Sequence, residues 1–264
     1  MIQAFQLHLA GRDISMQMDL DETSSSDAAL LYYLRRGQPP EPEVCQVMAR
    51  VLKEGDCAVD AGANIGFFTV LMSALVGTTG KVIAVEPGAN NLPKLLRNID
   101  LNDCANIEVR TLPLWNEITR IPFYSYVDGG ANSVFGDRIE APELMNTITL
   151  AELVPSKEAC KLLKMDIEGS ETRAAKGGLA GALWNFAYII SEINADALAR
   201  ADSSVQELRD VMLKVGKRAF VLSDNGQLPA KVPDATVLTP TRQNANVLFT
   251  TAIRIQEAWP EVFV

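Results

Sequence analysis

The chain has 264 residues, of which 48% are apolar, so it can bury a full hydrophobic core and is not globally disordered. Its net charge is −9 and its Lys and Arg residues are scattered, which argues against nucleic-acid binding, because phosphate contacts need clustered cations. No apolar run approaches the ~20 residues of a membrane span and no signal peptide is evident, so we expect a cytoplasmic protein.

The N-terminal part of the chain predicts a small addition to a larger domain. Apolar and polar residues alternate over 2–20, which is typical of a β-hairpin. The spacing of apolar residues predicts helices over 28–36 and 43–53. We expect residues 1–50 to form an extension of hairpin and helices, and residues 51–264 to form the main domain.

From residue 57 onward the pattern changes to alternating strands and helices. Almost wholly apolar strands that alternate with helices are typical of a parallel sheet covered on both faces. We therefore expect an α/β, Rossmann-like fold in which a ligand binds at the carboxyl ends of the strands. The predicted strands are 57–61, 81–85, 107–112, 160–166 and 187–193, with a closing antiparallel pair at 219–223 and 246–251. The predicted helices are 66–76, 90–101, 170–183 and 203–216.

The sequence Val-Asp-Ala-Gly-Ala-Asn-Ile-Gly at 59–66 predicts a strand, a glycine turn and a helix start. Gly62 permits close approach of a ligand to the backbone, but Asn64 replaces the third glycine of the dinucleotide fingerprint, which disfavours a pyrophosphate. Asp60 in this loop suits a ligand that carries an ammonium and a sulfonium group, such as S-adenosylmethionine. The alternative for Asp60 is a cap of the turn that follows it.

Two further positions suit a nucleoside. Glu86 ends the second predicted strand, where a carboxylate accepts hydrogen bonds from both ribose hydroxyls; a solvated strand end is the alternative. Trp115 follows the third strand, where it either flanks an adenine or packs in the core or a lid. The irregular segment 115–150 is predicted to be a substrate loop, in which Asn132 and Ser133 are weaker candidates.

Three carboxylates lie within six residues after the apolar strand that ends near Asp166. Asp166 is predicted to act as a general base or to bind a substrate hydroxyl, and a magnesium or calcium site is an alternative. Glu168 and Glu171 alternatively stabilise a helix N-terminus electrostatically. Glu192 closes the next strand, where it either faces the substrate or forms a structural ion pair. Because His8 is the only histidine and lies in the hairpin, we expect the base to be a carboxylate.

The four cysteines show neither paired nor metal-binding spacing. Two of them, Cys57 and Cys160, lie in apolar strand-like runs. We expect all of the cysteines to be reduced thiols, as in a cytosolic protein.

Three sequence blocks resemble the FkbM-type family of S-adenosylmethionine-dependent methyltransferases. They are VDAGANIGFFT at 59–69, VEP at 85–87 and LKMDIEG at 163–169. The resemblance implies a class I methyltransferase fold with a seven-stranded sheet, and O-methylation of a hydroxyl on a sugar, polyketide or similar metabolite. It also implies that Asp60, Gly62 and Asn64 line the cofactor and that Glu86 holds its ribose. The chain departs from the family pattern at 112–116 and at Asn194.

The leading hypothesis is therefore an S-adenosylmethionine-dependent O-methyltransferase that acts on a small-molecule or glycan hydroxyl. Asp166 and Glu192 are the candidate catalytic residues, and no metal ligand is assigned. The alternatives are an NAD-dependent oxidoreductase and a non-catalytic module that binds S-adenosylmethionine. The candidate cofactor-binding residues are Asp60, Gly62, Ala63, Asn64, Glu86, Trp115 and Asp166.

Overall fold

The computed structural model describes residues 1–125, 133, 142–154, 159–179, 181–222, 227–234, 236 and 244–262. Its strands are β1 (Ile2–Leu9), β2 (Arg12–Asp19), β3 (Cys57–Ala61), β4 (Lys81–Val85), β5 (Ile107–Arg110), β6 (Arg120–Phe123), β7 (Glu143–Asn146), β8 (Leu162–Met165), β9 (Tyr188–Asn194), β10 (Arg218–Val221), β11 (Ala230–Lys231) and β12 (Asn244–Thr250). Its α-helices are α1 (Ser25–Leu34), α2 (Pro42–Val51), α3 (Phe67–Val76), α4 (Leu92–Leu101), α5 (Leu150–Leu153), α6 (Glu171–Gly178), α7 (Ala182–Asn185), α8 (Ala195–Arg200), α9 (Val205–Lys214) and α10 (Ala252–Ala258).

The central sheet has the order β11-β10-β12-β9-β8-β3-β4-β5. Strands β9, β8, β3, β4 and β5 run parallel, while β12 pairs antiparallel with both β9 and β10. The mostly parallel α/β fold that the sequence predicted is therefore confirmed. The sheet has eight strands in the described residues instead of the expected seven, because the two-residue strand β11 extends its edge.

Strands β6 and β7 lie in the segment 115–150, which was expected to be irregular. The elements that were predicted agree closely with the observed ones, with one exception. The helix expected over 170–183 is two helices, α6 and α7, separated by a turn. Glycines stand at positions 177, 178 and 181, and glycine destabilises a helix interior by roughly 1 kcal/mol relative to alanine. The chain can therefore change direction where a longer helix was expected.

Apolar side chains on the two faces of the sheet form two large buried clusters. One contains residues of β8, β9 and α6, together with α9. The other contains residues of α3 and α2, and the buried face of the β1–β2 hairpin joins it. In the hairpin every second side chain is buried, as expected for strands with one covered face. This shared core supports the proposal that residues 1–50 are an extension and not an independent domain.

Cys57 and Cys160 form a disulfide, so the expectation of four reduced thiols was wrong for this pair. Strands β3 and β8 are neighbours, and their amino ends bring the two Cα atoms to 4.7 Å. The backbone N–H of Lys161 donates to the Cys57 carbonyl oxygen at 2.7 Å. The two cysteines are 103 residues apart in sequence, so spacing along the chain gave no sign of the pair. Cys45 and Cys104 are free.

Among the described residues, no helix has both the length and the apolar character that crossing a bilayer requires.

The disulfide predicts how the four cysteines react with iodoacetamide. In protein unfolded without reductant, we expect the reagent to label Cys45 and Cys104 alone, since the other two thiols are bonded to each other. Prior reduction should raise the label to four cysteines, as measured by intact mass. Four labels without reduction would contradict the assignment, and a Cys104→Ser variant serves as a control for counting.

Candidate functional site

A cavity of about 210 Å³ lies at the carboxyl ends of the adjacent strands β8, β3 and β4. Its wall is formed by the loop between β3 and α3, the end of β4, the segment after β5 and the loop between β8 and α6. Leu30, Pro40 and Glu41 of the N-terminal extension close another side. The cavity therefore lies where parallel α/β sheets commonly bind ligands, at strand ends on either side of the sheet centre.

The glycine loop after β3 lines the cavity with Gly62, Ala63 and Asn64. Gly62 has φ +86°, and the backbone N–H groups of Gly62 and Ala63 both donate to the Val85 carbonyl oxygen at 3.0 Å. A side chain on Gly62 would overlap the carbonyl oxygen of Asp166. The missing side chain thus allows the loops after β3 and β8 to pack against each other, which joins two predicted site segments into one wall.

Glu86 lines the same cavity and is 4% exposed. Its Oε2 accepts the backbone N–H of Asn64 at 2.7 Å, and its Oε1 accepts the backbone N–H of Gly88 at 2.8 Å. Burial raises the pKa of Glu86, while these backbone donors oppose the shift. Oε1 also accepts the Asn91 Nδ2 at 3.3 Å, so of the two oxygens Oε2 retains more capacity to accept a ligand hydroxyl.

Two predicted cofactor residues, Asp60 and Trp115, lie outside the lining of the cavity. Asp60 is fully buried below the glycine loop, where its Oδ2 accepts the Thr69 hydroxyl at 2.5 Å and burial raises its pKa. The Trp115 ring lies 5.1 Å from the guanidinium carbon of Arg173. Pro113, from the same segment, lines the cavity instead.

Leu114 also lines the cavity and was missed from the sequence. Its position after β5, one residue before Trp115, was the available signal. An apolar residue at a strand end does not distinguish a cavity wall from an ordinary core position.

Lys164 is a buried cation in the cavity wall that sequence reasoning did not single out. It is 2% exposed, and its Nζ lies 3.1 Å from the Asp166 Oδ2 and 4.5 Å from the centre of the Phe68 ring. Burial opposes its charge, but the carboxylates of Asp166, Glu41 and Asp60 outweigh that effect and raise the pKa of Lys164. Lys164 therefore stays protonated. The available signal was a lysine inside an apolar strand.

The candidate catalytic carboxylates Asp166 and Glu192 lie close to each other. Asp166 lines the cavity, whereas Glu192 lies behind it and is hydrogen-bonded to Asp166. Burial, together with the charges of Asp166 and Glu168, raises the pKa of Glu192 well above its usual range. Glu192 therefore holds a proton at neutral pH, since two close carboxylates cannot both ionise easily.

Glu168 lines the cavity in a left-handed backbone conformation with φ +54°. Burial, and next the charge of Asp166, raises the pKa of Glu168 to about 7. Its carbonyl oxygen accepts the hydroxyl of Ser133 at 3.1 Å, so Ser133 reaches the cavity as expected. The other candidate of that loop, Asn132, lies outside the described residues.

Glu171 has a structural position. It is 3% exposed and outside the cavity lining, and its Oε1 accepts the backbone N–H groups of Ile167 at 2.9 Å and Gly169 at 3.3 Å. Burial raises its pKa to about 7, although these two donors oppose the shift. Glu171 therefore holds the loop that carries Asp166 and Glu168. Within the described ranges, no group of three or more His, Cys, Asp or Glu side chains is arranged to hold a metal ion.

The model of the methyltransferase FkbM domain family matches residues 60–219. The chain belongs to this family. The resemblance carried by the three sequence blocks is thereby confirmed, and with the observed sheet the fold is a class I methyltransferase fold. No curated protein matches the FkbM-family chain described here.

Solved structures similar to this FkbM-family chain are distant in sequence. A methyltransferase FkbM from Methylobacillus flagellatus KT is 18% identical, with a TM-score of 0.49 over 88% of this chain and 55% of that one. An S-adenosylmethionine-dependent O-methyltransferase from Thermotoga maritima is 13% identical, with a TM-score of 0.46 over 81% of this chain and 65% of that one. Fibrillarin from Aeropyrum pernix, in complex with natively bound S-adenosylmethionine, is 16% identical. Its TM-score is 0.45 over 94% of this chain and 82% of the fibrillarin chain. The chain thus spans about half the length of the Methylobacillus protein.

The Gly62–Asp166 contact predicts a large loss of stability in Gly62→Ala. We expect this variant to lower the free energy of unfolding by about 3 kcal/mol or more, because the new Cβ combines a positive φ with overlap of a backbone oxygen. The matched control is Gly11→Ala, which has φ +78° but open space around it and should lose only about 1–2 kcal/mol. Urea unfolding measures both, and equal losses would contradict the contact.

The buried Glu171 predicts a pH-dependent contribution to stability. The pKa of Glu171 is about 7 in the folded chain and is near its ordinary value of 4.5 in the unfolded chain, so the folded state binds the proton more tightly. Its contribution to stability is fully present below about pH 4.5 and is lost as pH rises through about 7. Across that window the unfolding free energy of the wild type should fall relative to Glu171→Gln.

Urea unfolding at a series of pH values measures this difference. The surface variant Glu117→Gln is the control and should follow the wild type at every pH. A constant difference between wild type and Glu171→Gln across the window would show that Glu171 does not titrate as described.

Proposed function

We propose that this methyltransferase uses S-adenosylmethionine to methylate a hydroxyl group of a small molecule or glycan. The strongest support for this proposal is that the candidate cofactor-binding and catalytic residues share one cavity. The Gly62–Asn64 loop, Glu86 and Asp166 line one cavity at the carboxyl ends of three adjacent strands. A ribose-binding carboxylate and a candidate base thus face the same space.

The residues of the cavity fit this cofactor. Glu86 would hold the ribose hydroxyls, the backbone of Gly62, Ala63 and Asn64 would lie along the nucleoside, and Leu114 would contact the adenine. When bound, the cofactor supplies an electrophilic methyl group on a sulfonium.

The charges of the wall also favour this cofactor over NAD. Among the described lining residues Lys164 is the one Lys or Arg side chain, and Asp166 already pairs with it. A pyrophosphate would therefore meet Glu86 and Glu168 without a free cation, whereas a sulfonium and an ammonium suit such a wall.

Asp166 is assigned as the base that accepts the proton of the acceptor hydroxyl. The Lys164 Nζ lies 3.1 Å from the Asp166 Oδ2 and holds this carboxylate at the cavity wall, where it can accept a proton from a bound hydroxyl. Protonated Glu192 orients Asp166 through their hydrogen bond and does not itself contact the cavity. Methyl transfer is an in-line displacement, so most of the catalysis comes from holding the hydroxyl in position, and proton removal adds a further factor.

Two substitutions are expected to separate cofactor binding from proton transfer. Asp166→Asn should lower labelled methyl transfer by about 100-fold or more, because the base is lost, and leave S-adenosylhomocysteine affinity within about threefold.

Glu86→Gln should weaken S-adenosylhomocysteine binding by about 10-fold or more, because hydrogen bonds to a charged carboxylate are lost. Calorimetry measures binding, and a panel of neutral glycosides and phenols tests transfer.

The surface variant Asp100→Asn, on α4 and outside the cavity lining, is the control and should match the wild type in both assays. Near-wild-type transfer in Asp166→Asn would remove this residue from the role of base. Thermal stabilisation by NAD but not by S-adenosylhomocysteine would refute the proposed function, because a ligand that binds the native state raises its melting temperature.

A further inference from the structure

The N-terminal extension supplies a charged side chain to the cavity. Glu41 lies between the helices α1 and α2 and lines the cavity beside Pro40. It belongs to the segment that the sequence analysis treated as an addition to the main domain. Its position suggests that this segment takes part in ligand binding as well as covering the fold.

The backbone of Glu41 is held in an unfavourable conformation. Its φ of 42° and ψ of 62° are left-handed, and Pro42 follows it, although a residue before proline normally prefers an extended backbone. Glu41 is the N-cap of α2, yet its side chain makes no capping hydrogen bond to the helix. Strained backbone conformations of this kind cluster at ligand sites. Glu41 therefore lines the cavity without capping the helix that follows it.

Asn246 on β12 fixes the Glu41 carboxylate. The Asn246 Nδ2 donates to Glu41 Oε2 at 3.0 Å and to Glu43 Oε1 at 2.9 Å. In the sheet, Asn246 pairs with Glu192, which is hydrogen-bonded to Asp166. Glu41 is thus linked through Asn246 to the strand pair that carries Glu192, and Glu43 shares the same donor without lining the cavity.

A second anchor holds the extension over the cavity. Asp27 of α1 is 1% exposed and forms an ion pair with Lys94 of α4. The same carboxylate accepts the backbone N–H of Asp21 at 2.8 Å. The segment from Asp21 to Glu41 is therefore tied to the main domain at both of its ends.

The cavity wall around Lys164 carries more negative than positive groups. Glu41, Asp166 and Glu168 line it, and Lys164 interacts electrostatically with all three. One ammonium cannot neutralise three carboxyl groups when they ionise. An anionic group placed there would therefore be repelled by the carboxylates around it.

We propose that Glu41 is an acceptor-binding residue, and that with Asp166 and Glu168 it selects acceptors that carry no phosphate or carboxylate near the reacting hydroxyl. Neutral polyols and amino-bearing alcohols are the acceptor classes that fit such a wall. This inference rests on the proposed function, because it assigns the acceptor side of the same cavity.

The test uses sinefungin, an analogue that carries an amino group where the cofactor carries its transferable methyl. Calorimetry at about pH 8, where an aliphatic amine is largely protonated, gives the dissociation constants of sinefungin and S-adenosylhomocysteine. Wild-type protein should bind sinefungin more tightly than S-adenosylhomocysteine. Glu41→Gln should reduce this preference by roughly 3- to 10-fold, the effect of losing one charged contact.

The matched control is Glu43→Gln, which loses a contact to the same Asn246 donor and should keep the preference within about twofold. Glu41→Asp keeps the charge and should retain part of the preference, which also covers the case in which Glu41→Gln does not fold. Melting temperatures of all three variants show whether they fold.

Three outcomes would overturn the inference. Equal effects of Glu41→Gln and Glu43→Gln would make Glu41 a structural anchor alone. Equal weakening of both ligands would place Glu41 on the cofactor side. Weaker binding of sinefungin than of S-adenosylhomocysteine to the wild type would show that the wall does not favour cations. Failure of the proposed function is a separate result, in which the wild type binds neither ligand.

Discussion

The buried ammonium of Lys164 is the interaction on which the site depends. Asp60, Asp166 and Glu41 come from different strands and from the extension, and each is held in or beside the protein interior. Buried carboxylates without a cation are costly, because a low-dielectric interior disfavours uncompensated charge. Lys164 lies in β8, directly opposite Asp60 in β3, so the central strands themselves carry the compensating charge. Several carboxylates can gather at the carboxyl ends of the central strands because the Lys164 ammonium lies among them.

The loops around the cavity are fixed by contacts to each other as much as by the strands below them. Gly62 brings the β3 loop against the β8 loop, and Asn64 donates to Glu86 across the end of β4. Glu171 holds the β8 loop from behind through two backbone N–H groups. Preorganised groups of this kind suit a displacement reaction, in which correct placement of the reactants supplies most of the rate.

Much of the fold followed from local patterns. Apolar strands alternating with amphipathic helices are determined by burial on both faces of a parallel sheet, so the central strands and most helices agreed with expectation. The prediction of one helix over 170–183 was wrong because clustered glycines interrupt the helical spacing around them. Among the site residues, those adjacent to the glycine turn and to strand ends lie in the cavity, because strand polarity alone carries them there. Trp115 and Asp60 lie elsewhere because the direction of a side chain depends on what packs around it.

The sequence by itself determined the family, the sheet and the strand ends at which the cavity opens, since these depend on periodicity and on short motifs within the chain. Only the tertiary structure decided which charges meet. The Cys57–Cys160 disulfide joins residues 103 positions apart, and the hydrogen bond from Asn246 to Glu41 joins a strand of the central sheet to the extension. Both contacts depend on the order in which strands and helices pack. That order arises from the burial of whole faces and is not encoded in the spacing of the residues that come together.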